Sequence, residues 1–330
     1  MTDSKAPTRR DVLAGATLAA GAMAASAAAE DTAAPDLAGQ SILITGSSSG
    51  FGRLGAVHYA RLGARVFATM RNLPRPEAEE LRALAADEDL DLHVIEIDVL
   101  SDDVVEKGVA AALALSNGKL DVLVNNAGVA ITGPVELQDM NATKLAFDTN
   151  VYGCHRMARA VLPAMREAGK GQIFSISSQL GRLIAPGAGH YSATKFALEA
   201  MSEQMAYELV PHGIDVTIIQ PGGYPTKIWV NRNRYTSDLR DRSPQEALAA
   251  YPELSAQMGT EDGSGRNTDP MDVPRAIAEI IAMPRGERPL RRAVHPNFRP
   301  QEGVNAAMKE AQLGFLGRTP LGPWVREALD

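Results

Sequence analysis

Gln40-Ser-Ile-Leu-Ile-Thr-Gly46-Ser-Ser-Ser-Gly50-Phe-Gly52-Arg53-Leu-Gly-Ala-Val-His-Tyr-Ala-Arg-Leu-Gly63 decides the fold. Gln40 to Gly46 is a short apolar run with polar flanks and reads as a buried strand. The glycine turn from Gly46 to Gly52 follows directly, and Arg53 to Gly63 then has helical spacing, with Gly63 placed to cap the helix. A strand, a glycine turn and a helix N-terminus make an anion site, because glycine lets the backbone approach a pyrophosphate whose charge the helix dipole favours. The spacing here, G-x-x-x-G-x-G, differs from the G-x-G-x-x-G dinucleotide fingerprint.

A second pattern lies downstream. Tyr191 and Lys195 stand four residues apart, thirteen residues after Ser178. On a helix, positions i and i+4 share a face, so the Lys195 ammonium can stand beside the Tyr191 phenol. A nearby positive charge favours the phenolate and lowers the pKa of a tyrosine from its ordinary value near ~10 towards working pH. Ser178, delivered by another segment, can hold the oxygen of a carbonyl or alcohol while Tyr191 gives or takes its proton. The Y-x-x-x-K spacing is weak alone, since it falls on many solvated helix faces; the upstream phosphate-binding turn gives it weight.

Together with Asn125-Asn-Ala-Gly128 and Pro221-Gly-Gly-Tyr-Pro-Thr226, these motifs resemble the short-chain dehydrogenase/reductase family in its ~250-residue form, over about Gln40 to His295. The resemblance implies an α/β fold: a Rossmann-like, doubly wound parallel sheet in a single domain. It implies an oxidoreductase that interconverts a carbonyl and a secondary alcohol by hydride transfer. Ser178 would bind the substrate oxygen, Tyr191 would be the general acid/base, and Lys195 would hold the nicotinamide ribose. Asn150, in Asp148-Thr-Asn-Val-Tyr-Gly153, matches the fourth catalytic position, which anchors a water on the proton path. Gly46, Ser48, Ser49, Gly50, Phe51 and Gly52 would cradle the cofactor, joined by Asp98 and Val99 at the adenine, Asn125, Ala127 and Gly128 after the fourth strand, and Pro221, Gly222 and Thr226 at the carboxamide. Strand Ala64 to Met70 ends in Arg71, where NAD-preferring members present an acid. Arg71 would instead pair with a 2′-phosphate, so NADP is expected over NAD. The family also implies a homo-oligomer, dimer or tetramer. A cofactor sensor or scaffold of the same fold would have lost Tyr191 or Lys195, and an extended-family epimerase would carry a G-x-x-G-x-x-G turn.

Composition agrees with this reading. With 330 residues, 45% of them hydrophobic, the chain can build one large core. The formal net charge of −7 and scattered arginines give no basic face for nucleic acid. Six histidines and one cysteine show no metal-ligand spacing. Cys154 reads as a small buried residue, and His190 as structural at a helix start.

The first ~30 residues stand apart. Arg9 and Arg10 precede a mildly apolar run from Val12 to Ala25 and then Ser26-Ala-Ala-Ala-Glu30. A charged start, a short apolar middle and an A-x-A end describe an export signal too short for a stable membrane anchor, and the paired arginines make residues 1–29 resemble a twin-arginine signal. The expected location is the periplasm, with the enzyme carrying its dinucleotide out already bound. The alternative is a disordered alanine-rich tail on a cytoplasmic protein. Lys227 to about Pro270 shows no sustained period beyond one short helix announced by the capping box Ser243-Pro-Gln-Glu246, and the glycine-rich stretch from Gly259 looks mobile. In the family this region is a substrate lid. Its length suggests a bulky, hydrophobic substrate. Residues 296–330 extend past the family core, and Leu313, Leu316 and Trp324 would cover the site, dock on a partner subunit or pack on the domain.

Overall fold

The computed structural model describes residues 34–329, so the leader and its paired arginines lie outside the described residues. Seven strands form one parallel sheet: β1 Ser41–Ile44, β2 Arg65–Met70, β3 Leu92–Glu96, β4 Val122–Asn125, β5 Gly171–Ile176, β6 Ile214–Pro221 and β7 Arg291–Val294. Their order across the sheet is β3-β2-β1-β4-β5-β6-β7. The order reverses at β1, and the crevice at such a reversal is where ligands of open α/β sheets bind.

Helices α1 Gly50–Arg61, α2 Pro76–Asp87, α3 Asp102–Leu115, α4 Met140–Phe147, α5 Gly153–Ala168, α6 His190–Leu209, α7 Ile228–Asp241, α8 Gln245–Ala250, α9 Pro252–Ala256, α10 Asp272–Ala282, α11 Gln301–Leu316 and α12 Gly322–Leu329 complete the chain. Successive strand residues point to opposite faces, so the apolar runs feed two cores. Ile42, Ile44, Val66, Ala68, Val122 and Val124 pack against α1, α2 and α10. Leu43, Phe67, Leu123 and Ile173 pack against α3, α5 and α6. This is the doubly wound sheet expected from the alternation of strands and helices.

The segment after β6 departs from the sequence reading. It holds three helices, α7 to α9, instead of one. The 14-residue α7 buries only Thr236 and Leu239 completely, and a helix with so narrow an apolar stripe leaves no readable period. Leu239 joins Ile131, Leu137, Ala142 and Met258 in a third, small core that seats these helices beside the loop after β4. The capping box does not form. Ser243 donates its hydroxyl to the Leu239 carbonyl at 2.7 Å, closing the end of α7, and Pro244 takes the N-cap place of α8. Within the glycine-rich stretch, Gly263 N donates to Glu261, Ser264 N to Asp262, and Thr268 Oγ1 to the Gly223 carbonyl at 3.0 Å.

Residues beyond β7 pack on the domain. Val325 and Leu329 of α12 enter the same core as Tyr207 and Leu209 of α6, whereas Phe315 stays exposed. In α11, Gln301 Nε2 donates to the Gln220 carbonyl at 3.2 Å and Asn305 Nδ2 to Gln220 Oε1 at 2.7 Å.

At the amino end of the sheet, Asp121 ties β1 to β4. Its Oδ2 accepts from Ser41 N at 3.0 Å and Ser41 Oγ at 2.8 Å, and its Oδ1 accepts from Lys170 Nζ at 2.7 Å. Burial alone raises this carboxyl, but the donors outweigh it and hold it below the ordinary value of 3.8. A depressed carboxylate stabilises the fold above its ordinary titration range and loses that contribution as pH falls through the lowered one. Asp121→Asn should therefore cost about 1–3 kcal/mol near neutral pH, mostly through Ser41, because Lys170 is largely exposed and screened. Urea melts should show the gap to wild type closing as pH drops below the ordinary aspartate range; a gap independent of pH would contradict this account.

Candidate active site

The residues that follow β1, β2, β3, β4, β5 and β6 converge on one cleft of about 790 Å³ at the carboxyl ends of the strands. That volume is of the size that holds a small-molecule ligand. The glycine turn forms its floor. Gly46 has φ +72°, and a Cβ there would come within 2.9 Å of Ala127 Cα, so the turn fits against β4 only without a side chain. Ser48, Ser49, Gly50 and Phe51 line the cleft. Ser49, the N-cap of α1, makes no side-chain cap bond, and the first turn holds no acid, so the backbone N–H groups are left for an anion. Gly52 does not line the cleft. A Cβ on Gly52 would lie 2.4 Å from the Gly46 carbonyl oxygen, so this glycine lets the helix sit on the turn.

After β2 and β3 the cleft is walled by Met70, Arg71, Asn72, Arg75, Glu77, Asp98, Val99 and Leu100. Arg75 grips Glu77 with two hydrogen bonds of 2.9 and 3.0 Å, which holds the Glu77 carboxyl far down, at about 2. Arg71 lines the cleft, and among the described residues its guanidinium makes no such pair. Asp98 Oδ1 accepts from Leu100 N at 3.1 Å, while the capping of α3 falls to Ser101.

After β4, Asn126, Ala127 and Gly128 face the cleft but Asn125 does not. Asn125 is the last strand residue and buried, and its amide has no partner among the described residues. The tie between strands belongs to Asn126, whose Nδ2 donates to the Thr45 carbonyl at 2.8 Å. At the end of β6 and just beyond it, Pro221, Gly222 and Thr226 line the cleft. Thr226 lies against Gly50, and the Tyr224 ring packs edge-on against Phe51, centroids 5.5 Å apart, so this loop closes over the glycine turn.

Ser178 follows β5 at the head of a short 3-10 turn, its Oγ accepting from Leu180 N at 3.1 Å. Tyr191 lies in the first turn of α6, one turn before Lys195. The Lys195 ammonium is buried, donates to the Ile176 carbonyl at 2.8 Å, and stands 5.7 Å from the centre of the Tyr191 ring. Its remaining protons are left for a ligand, since no other hydrogen bond to it occurs among the described residues. Mid-helix, Glu199 and Glu203 pair with Arg291 of β7, fixing α6 to the sheet.

Asn150 stands behind this wall, not on it. It occupies a π-helical turn, Asp148–Tyr152, between α4 and α5. Its Nδ2 donates to the Val129 carbonyl at 2.9 Å and to Thr194 Oγ1 at 3.0 Å, and its Oδ1 accepts from Val129 N at 2.8 Å. It thus clamps the loop after β4 to α6. His190 is held by Thr143, 2.9 Å from its Oγ1, and the buried Cys154 thiol is pushed up to about 11 by burial.

Several cleft residues were not among the sequence-derived candidates: Asn72, Arg75, Glu77 and Asn126 at the cofactor-like end, and Trp229 and Arg232 at the other. Trp229 and Arg232 are three apart and share a helix face, a signal hidden by the missing apolar period of α7.

Residues 40–236 match the profile of the family described as short chain dehydrogenase. A 3-ketodihydrosphingosine reductase of Bacteroides thetaiotaomicron is 35% identical over 257 residues, 78% of this chain and 88% of that protein. Retinol dehydrogenase 8 of Homo sapiens is 34% identical over 270 residues, 80% of this chain and 84% of that one. Among solved structures, a short-chain dehydrogenase from Streptomyces avermitilis superposes with a TM-score of 0.66 at 31% identity, covering 86% of this chain and 98% of that one. A metagenomic short-chain oxidoreductase in complex with NADP superposes with a TM-score of 0.61 at 25% identity, covering 79% and 99%. With a matching profile over more than half its length and relatives of this likeness, the chain belongs to the short-chain dehydrogenase family, enzymes that act on CH–OH groups with NAD(P).

Proposed function

We propose that this protein is an NADP(H)-dependent oxidoreductase that interconverts a carbonyl and a secondary alcohol, with Tyr191 as general acid/base. The observation that carries it is the convergence of Ser178, Tyr191 and Lys195 on one wall of the cleft, at the end opposite Arg71. The Ser178 hydroxyl and Tyr191 phenol present two donors to one substrate oxygen, the arrangement that stabilises charge developing there. Lys195, its ammonium 5.7 Å from the centre of the Tyr191 ring, would hold the ribose through its spare protons. Asn150 holds the neighbouring backbone in place, and a water beside it completes a proton path from Lys195. A nicotinamide bound in this cleft supplies or accepts the hydride. The apolar lining from Val129, Leu180, Leu254 and Met258 suits a bulky, largely hydrophobic substrate body.

Removing only the titratable oxygen tests the central assignment. Tyr191→Phe should lower kcat by at least ~100-fold, the loss expected for a positioned acid, with NADPH affinity nearly unchanged. A variant that keeps most of its turnover ends the assignment.

The NADP preference rests on charge. Glu77 is neutralised by Arg75, so Arg71 is the cation left for a 2′-phosphate at the end of β2. Calorimetry should find NADPH bound more tightly than NADH, and Arg71→Asp should shift the ratio by roughly 1.5–3 kcal/mol towards NADH. Equal affinities in the wild type would refute the reading of Arg71.

The export reading rests on the leader alone. Replacing Arg9 and Arg10 by lysine should strand an active enzyme in the cytoplasm, because the guanidinium pair is the address and the domain is untouched. Fractionation of the native host, with the mature N-terminus sequenced, decides it: a product beginning at Thr2 and staying cytoplasmic identifies the leader as a tail. A product beginning near Ala28 that brings NADP with it makes slow cofactor release the expected companion of export.

A further inference from the structure

The carboxylates lining the cleft are confined to one end, where Arg71 and Arg75 accompany them. These carboxylates, Glu77 and Asp98, both lie at the β2–β3 end, whereas Lys195, Arg232 and Arg234 line the other end with no carboxylate among the lining residues there. Arg232 is the best organised of these cations. Its Nε donates to Thr132 Oγ1 at 3.0 Å, and Thr132 is itself tied to Thr236 through both its backbone N–H, at 3.1 Å, and its hydroxyl, at 3.2 Å. Both threonines are buried. The guanidinium carbon also stands 5.1 Å from the centre of the Trp229 ring, and Trp229 is fixed by donating its Nε1 proton to the Tyr224 carbonyl at 2.7 Å. Holding a long side chain this firmly removes rotamer freedom before any ligand arrives.

What the guanidinium lacks is a close counter-charge. Among the described residues its terminal nitrogens make no hydrogen bond or ion pair. Glu261 borders a small neighbouring cavity with Asp262 and Arg232, but its Oε1 is taken by Arg266 at 2.9 Å, and Arg266 lies over Trp229 at 3.8 Å. Burial pulls the Arg232 pKa below the ordinary guanidinium value and Arg266 adds to the effect, while Glu261 and Tyr191 oppose it. A half-buried charge held rigid but unneutralised costs free energy, and an incoming anion offsets that cost.

We propose that Arg232 determines specificity by pairing with a carboxylate on the substrate, so that the enzyme acts on an oxo or hydroxy acid with an apolar body. A carboxylate fits better than a phosphate monoester, because the free edge of one guanidinium supplies two parallel N–H donors and one charge. The inference rests on the carbonyl/alcohol reading of the same cleft and narrows its substrate class. Thr132 acts as a positioning residue, aiming the guanidinium without touching substrate.

The test pairs each β-keto acid of a chain-length series with its methyl ester, assayed with NADPH. Wild type should show kcat/KM for the acid at least about 10-fold above the ester. In Arg232→Leu the KM for the acid should rise about 10- to 100-fold, as expected for loss of a charge-assisted pair, collapsing the preference. Arg232→Lys should restore part of it, and Thr132→Val should weaken it while the charge remains. Binding is read separately through Trp229 in a Trp324→Phe background, titrating the NADPH complex with each β-hydroxy acid and its amide, so the result does not depend on turnover. Equal acceptance of acid and neutral partner by wild type in either assay, or a preference that survives in Arg232→Leu, overturns the proposal. Failure of the underlying reading looks different: no carbonyl compound, charged or neutral, is reduced although NADPH binds.

Discussion

Thr45 holds the carboxyl ends of β1 and β4 together at the level where their connections part. Its Oγ1 accepts from Asn126 N at 3.0 Å and Ala127 N at 2.9 Å, and its carbonyl accepts from the Asn126 amide. Each of these groups is buried or nearly so, and a buried donor left unmatched costs roughly 1–3 kcal/mol. The glycine turn departs on one side of this knot and the Gly128 loop on the other. The crevice between them therefore has a fixed width before any ligand enters. Asn150 extends the constraint to α6 through Val129 and Thr194, so Tyr191 and Lys195 are placed against a backbone whose position Thr45 already sets.

The parts of this arrangement that were legible in the sequence are those that backbone chemistry dictates. A turn needing positive φ at Gly46 and Gly50 leaves glycine in the sequence, and a helix face leaves Tyr191 and Lys195 at a spacing of four. The apolar strands announce themselves because both faces of a parallel sheet are buried. The division of labour between Asn125 and Asn126 was not legible, since adjacent strand-end residues of one type differ only in which face they meet. Gly52 carries a similar ambiguity: glycine serves close packing of helix on turn as readily as it admits a ligand. Helix α7 escaped because its polar sequence follows from its place beside an open cleft. The pairing of Arg75 with Glu77 needs the chain to reverse after β2, which no local pattern records.

The cleft is polar at both ends for different reasons. Towards β2 and β3, Glu77 is neutralised by Arg75, which leaves the Arg71 guanidinium without an ion-pair partner among the described residues. Towards α7, the acids have been drawn aside: Glu261 spends its charge on Arg266 outside the cleft. In both places an internal ion pair withdraws a carboxylate from competition with an anionic ligand. Such exposed or half-exposed pairs add little to stability. Their effect is on the field inside the cleft.

Helix α12 carries a consequence for the order in which the molecule is made. Val325 and Leu329 share a core with Leu43 and Phe67, which belong to the first two strands. Helices α3, α5 and α6 cover that face, and Val325 and Leu329 close its last part from outside, against α6, after every strand has left the ribosome. Contacts this distant along the chain slow folding and leave apolar surface bare in the meantime. A chain cut short before α12 would therefore leave Tyr207 and Leu209 of α6 without the last part of their apolar cover.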